Sequence, residues 1–161
     1  MKEKHSEHAT IAEPIPQGFH SITPFLVVND AEEWLEFVEN AFEGETTFLL
    51  KHESGKYKGK VMHATTKIGD SCIMLSEAME NYPATSTMLY LYVEDVDKVY
   101  DQALKAGATS IREPVNEFYG DRSAGVKDKW NNQWWIATHI EDVEGEELER
   151  RAREFDKKNP M

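Results

Sequence analysis

His63, Cys72, the run Tyr119-Gly120-Asp121-Arg122 and His139 are the places where side-chain type and spacing could support chemistry in this chain. His63 and Cys72 lie on either side of Gly69-Asp70, a glycine–acid pair of the kind that turns a two-residue hairpin, so they fall on neighbouring strands. An imidazole beside a thiol could make a nucleophile, although no activating motif accompanies this pair. His63 alone is the best candidate for a general acid–base, set against the ordinary fate of a hydrogen-bonded structural histidine. In the run 119–122, Gly120 permits a sharp turn, and Asp121 and Arg122 either brace each other or reach a cleft mouth. An inward Arg122 would answer a carboxylate or phosphonate. His139, just before Glu141-Asp142, suits a paired strand end.

The bulk numbers narrow the setting for these residues. With 161 residues and 40% hydrophobic content, the chain is one domain's worth of globular protein. A formal net charge of -12 argues against sequence-independent nucleic-acid binding and against anionic membrane surfaces. One cysteine excludes an internal disulfide and multi-cysteine metal motifs, which suits a reducing compartment. No apolar run approaches spanning length, and the charged N-terminus has no signal-like core, so a cytoplasmic location is expected.

The elements that position the candidates come in two copies. Phe25 to Asp30 is an apolar strand ending in an acidic cap, followed by a helical stretch to Phe42 and then Gly44. Tyr90 to Asp95 repeats this, with a helix to Ala106 and then Gly107. Strand-like stretches follow each helix: Thr46 to His52, Val61 to Ile68 and Ser71 to Leu75 in the first copy. The second copy offers Thr109 to Arg112, stopped by Pro114, then Gly125 to Lys127 and Trp134 to His139, with Asn131-Asn132 standing where Gly69-Asp70 stands. The pattern is two βαβββ modules, about 19–78 and 86–143, forming an α+β domain over 19–143 around a cleft. Residues 1–18 read as a flexible leader. Residues 144–161 read as a charged helix and tail, with Glu146–Arg150, Glu147–Arg151 and Glu149–Arg153 at helical spacing and contact through Leu148, Ala152 and Phe155.

This order, together with Ile15-Pro16-Gln17-Gly18-Phe19-His20, His63-Ala64, Gly69-Asp70-Ser71, Tyr119 to Ser123 and Asn132 to His139, resembles the vicinal oxygen chelate superfamily. That superfamily comprises glyoxalase, bleomycin-resistance and dioxygenase relatives, and the wording is closest to its PhnB-like branch. The resemblance implies four metal-ligand positions, and these fall on Thr23, Met74, Met88 and Trp135. None is a fitting ligand for a hard or borderline divalent ion, so no metal and no other cofactor is expected.

Counting every second residue from those positions gives the expected cleft lining. It holds Thr23, Phe25, His63, Thr65, Met74, Met88, Tyr90, Tyr92 and Trp135, with Arg122 at the mouth. Leu26, Val28, Ile73, Leu75, Trp134 and Ile136 fall on the opposite, helix-facing side, joined by Ala64 and Ile68. Such a lining, aromatic and sulfur-rich with a few polar groups, suits a small-molecule site. The expected function is a metal-free small-molecule-binding protein, with an aromatic or anionic ligand, working as a homodimer. The alternatives are a metal-independent lyase, isomerase or transferase using His63 or Tyr90 as acid–base, and a protein-interaction module with a closed cleft.

Overall fold

The computed structural model describes residues 12–160, so the leader reading falls largely on residues outside the described ones. Module one runs β1 (Phe25–Val28), α1 (Ala31–Phe42), β2 (Glu45–Lys51), β3 (Val61–Ile68) and β4 (Ser71–Glu77). Module two runs β5 (Met88–Tyr92), α2 (Val96–Lys105), β6 (Thr109–Asn116), β7 (Asp121–Lys127) and β8 (Gln133–His139), and α3 (Gly145–Lys158) follows. The strand orders are β1-β4-β3-β2 and β5-β8-β7-β6, the same arrangement twice. In each sheet the first and last strands pair in parallel and the others antiparallel. A parallel pair needs a long crossover, which the helix and the two intervening strands supply. The two βαβββ modules read from the repeat are the fold.

One hydrophobic core serves both modules, on the helix side of each sheet. Leu26, Val28, Ile73 and Leu75 of the first sheet and Trp134 and Ile136 of the second are all buried there, as alternation requires. Ala64 and Ile68 join them. The modules meet where α1 packs on α2. Trp134 crosses that seam, stacking on Trp34 at 6.2 Å and against Phe42 at 4.4 Å between ring centroids. Gln102 on α2 donates to the Asn40 carbonyl at the end of α1. The faces of the sheets away from this core are therefore left open.

The helix starts differ between the copies. Asp95 caps α2 as expected, its carboxylate accepting from Lys98 N at 3.0 Å. Asp30 does not cap α1; it sits in the left-handed region with φ 51 and makes no side-chain cap bond. Glu77, at the end of β4, does that work from across the module, accepting from Asp30 N at 2.8 Å and Ala31 N at 3.0 Å. In module two Thr138 plays a matching part, its hydroxyl accepting from Val96 N at 2.9 Å.

Two strands of module two extend beyond their sequence signals. β6 passes through Pro114 to Asn116, because it is an edge strand with a register shift between Arg112 and Val115, where a missing N–H costs little. β7 starts at Asp121 rather than Gly125. Its small residues hid it: a methyl at Gly125 would lie 3.1 Å from the Trp135 ring, so this strand stays thin where the tryptophan crosses it. The Asn131-Asn132 turn is present, with Asn131 at φ 69 and Asn132 fully buried. In α3, Glu147–Arg151 and Glu149–Arg153 pair as spaced, whereas Arg150 takes Glu147 and Glu154 instead of Glu146. That helix docks through Phe155 on Phe118 at 5.1 Å and through a two-pronged Arg151–Glu141 pair at 2.8 Å.

Candidate functional site

The open faces carry most of the expected lining residues, divided between the two sheets. On the first sheet, His63 lies between the rings of Phe25 and Phe48, each 5.9 Å away. Met74 stands beside Phe25 on β1 and Thr65 on β3. Thr65 is only 4% exposed, so it supports its neighbours and presents little surface of its own. Thr23 precedes β1, and its hydroxyl closes a turn by donating to the His20 carbonyl at 3.0 Å. Phe48, exposed on edge strand β2, is an open-face residue that the expected lining lacked.

On the second sheet, Met88, Tyr90 and Tyr92 stand exposed along β5, and Tyr90 neighbours Trp135 on β8. Beneath them is Asp121, which is 3% exposed. Its carboxylate accepts from Tyr92 Oη at 2.9 Å and Tyr90 Oη at 3.3 Å, and it faces His139 Nδ1 at 2.8 Å. Burial, with Tyr119 and the Asp121 charge adding to it, pushes the Tyr90 hydroxyl well above the ordinary phenol range. Tyr90 is thus a proton donor at neutral pH and a poor base. Trp135 carries the Arg112 guanidinium over its ring, 4.9 Å from the centroid. Arg112 is anchored there by Glu117 and by Ser123 Oγ at 2.6 Å.

Arg122 does not reach this face, contrary to expectation. Because Asp121 and Arg122 lie on a strand and not a loop, alternation sends them to opposite sides. Arg122 meets Asp97 on α2 through two bonds of 2.7 Å and Asn116 through one of 3.0 Å. The arginine on the open side is Arg112, which the expected lining lacked; it sits between two register shifts of β6, where alternation does not fix its face. The His63–Cys72 pair is likewise not assembled. Cys72 pairs with Lys67, four residues from His63, leaving roughly 13 Å of strand between them. The thiol donates instead to the Gly18 carbonyl at 3.3 Å.

The metal positions implied by the resemblance hold a hydroxyl, two thioethers and an indole, which do not fit a hard or borderline divalent ion. Among the described residues no three His, Cys, Asp or Glu side chains gather into an ion-holding group.

His139 is paired, as its neighbourhood suggested, and more tightly than a simple cap. Its Nδ1 faces Asp121 and its Nε2 faces Asp142, both at 2.8 Å, so only the doubly protonated ring satisfies both carboxylates as donor. Hydrogen bonds to Asp142 and then Asp121 raise its pKa above the ordinary 6.5. A raised folded-state pKa contributes stability that is complete below the unfolded value and fades as pH rises through the folded one. The melting temperature should therefore fall as pH climbs from about 6.5 through the raised value. His139→Gln should flatten that slope, and an unchanged slope in thermal melts across this window would contradict the pairing.

Comparison with known proteins agrees with this architecture. The profile of the Glyoxalase/Bleomycin resistance protein/Dioxygenase superfamily matches residues 18–136. An uncharacterised protein of Mycobacterium bovis is 27% identical over 140 residues, covering 80% of this chain and 90% of its own length. Among solved structures, TioX of Micromonospora sp. ML1 superposes with a TM-score of 0.63 at 19% identity, over 74% of this chain and 98% of that one. The PhnB protein of Bacillus cereus gives 0.59 at 21% identity, over 74% and 99%. With two βαβββ modules and a matching profile across most of its length, the chain belongs to the Glyoxalase/Bleomycin resistance protein/Dioxygenase superfamily.

Proposed function

We propose that this chain is a metal-free small-molecule-binding protein whose open aromatic sheet faces hold a flat or amphipathic ligand. The observation that carries the reading is the exposure of Phe25, Met88, Tyr90 and Tyr92 on the sheet side opposite the core. Apolar rings held on rigid strands, with a few fixed polar atoms behind them, make a binding surface. Covering one ring face, ~100 Å², contributes about 2.5 kcal/mol before the costs of association. Stacking adds ~0.5–1.5 kcal/mol, so one covered ring face supports an affinity of about millimolar or weaker. Sequestration or carriage suits that range better than tight catalysis.

The acid–base alternative has less behind it. His63's ring contacts are aromatic, and Tyr90 holds its proton. The protein is also proposed to work as a cytoplasmic homodimer. Since the two modules of one chain join through α1, α2 and Trp134, the open face of one module is free to meet the other module of a second copy. No helix among the described residues is long and apolar enough to cross a membrane.

Trp135 sits in the wall, so ligand binding should change intrinsic fluorescence. Trp135→Ala should weaken binding of flat aromatic compounds about five- to tenfold, the loss of one stacking partner, while moving the melting temperature little. A panel of neutral and charged aromatics that leaves both fluorescence and melting temperature untouched would sink the reading. Light scattering that gives a monomer at micromolar concentration would remove the dimer.

A further inference from the structure

We propose that the open face of the second sheet is a seat for an organic cation, an alkylammonium group held against the rings of Tyr90 and Tyr92 with the Asp121 carboxylate behind them. This rests on the small-molecule reading above and names the ligand class for it. The two rings lie 5.2 Å apart between centroids and are inclined at 53°, forming the walls of a corner. They are 48% and 62% exposed, so their faces are available. Both hydroxyls converge on Asp121. A phenol donating to a carboxylate is more electron-rich in its ring, and the ring face attracts a cation more strongly for it. The Tyr119 side chain hydrogen-bonds to Tyr90 and stacks edge-on against Phe118, so it braces the corner from outside.

The charges around the corner point the same way. Two basic groups on this face are already answered: His139 by Asp121 and Asp142, Arg112 by Glu117. Arg122, the group that would have received an anion, is turned to Asp97 on the other side. A groove of about 620 Å³ lies behind the corner on the helix side of β5, lined by Phe42 of α1 and Val99 and Gln102 of α2 and reaching Tyr90 and Tyr92. Its charged lining is Glu43, Asp70, Glu94 and Asp95 against the single Lys98. With a formal net charge of -12 over the chain, the long-range field also draws cations inward.

The test compares three probes on the full chain by calorimetry and intrinsic fluorescence: choline, its uncharged isostere 3,3-dimethylbutan-1-ol, and benzyl alcohol. Choline should bind about tenfold more tightly than the isostere, and the preference should shrink with added salt. Tyr92→Leu, at an exposed position, should erase most of that preference while the fold persists. Asp121→Asn should reduce it several-fold, and if that variant fails to fold, Tyr92→Leu decides. Equal affinity for choline and the isostere while benzyl alcohol still binds would overturn the cation seat and leave the aromatic reading standing. If none of the three binds, both fall together.

Discussion

Truncating Trp134 to alanine should cost about 3–5 kcal/mol of folding stability, the range for deleting a large buried aromatic. Trp134 is 1% exposed and touches elements of both modules. It stacks on Trp34 and Phe42 of α1, and its indole N–H donates to Asp128 at 3.1 Å. Nothing nearby can collapse into the space without pulling α1 away from the second sheet. Guanidinium denaturation would read the loss, and a cost below about 1 kcal/mol would mean that the seam relaxes freely. Trp135, the next residue, faces the other side of the same strand. Its truncation should be mild for stability and costly for binding, so the two adjacent tryptophans separate the two roles.

Asp128→Ala should be nearly as damaging, for a different reason. The Asp128 carboxylate accepts from Asn132 N, Asn132 Nδ2, Trp134 Nε1 and Trp130 N, at 2.9 to 3.1 Å. Asn132 and Trp134 are buried, so removing the acceptor strands donors that water cannot reach. At ~1–3 kcal/mol for each unsatisfied buried group, a total loss of about 3–5 kcal/mol is expected, less than the simple sum because one loop carries them all. Asn132 in turn accepts from Thr87 N, so the disturbance should reach the start of β5. Urea denaturation measures the total, and indole N–H exchange at Trp134 localises it. Asp128→Asn, which keeps one acceptor oxygen, should recover part of the stability; failure to recover any would assign the effect to charge and not to hydrogen bonding.

The sequence carried the fold far more clearly than the site. The repeated strand–cap–helix phrase and the period-two alternation in β1, β4 and β8 are strong, local signals, and the core faces follow from them directly. The signal failed where a residue answers to something distant. Glu77 caps a helix that begins 46 residues earlier, and no local motif marks it. β7 was obscured because its small residues make room for Trp135 on the neighbouring strand. As a loop, residues 119–122 could offer both Asp121 and Arg122 to the cleft; as the start of a strand they are forced to opposite sides. Pro114 marks an end for β6 that the edge strand passes through, and Arg112, at the margin of the strand signal, carries no cue to its face. Charged residues on short edge strands are the hardest to place, because one residue of register decides which face they serve.

The Glu77 and Thr138 bonds tie the first helix of each module to that module's own last strand, 46 and 42 residues apart. Each half of the chain can therefore close on itself in the order in which it is made. Module one is complete at Glu77, but the rings of Trp34 and Phe42 that form its half of the seam wait for Trp134. At ~5–20 residues/s, synthesis of the stretch from Ala78 to Trp134 takes about 3–11 s. Through that interval the rings of Trp34 and Phe42 are without the indole that covers them in the finished chain. A chaperone, or the same rings of a second nascent chain, has seconds in which to reach them.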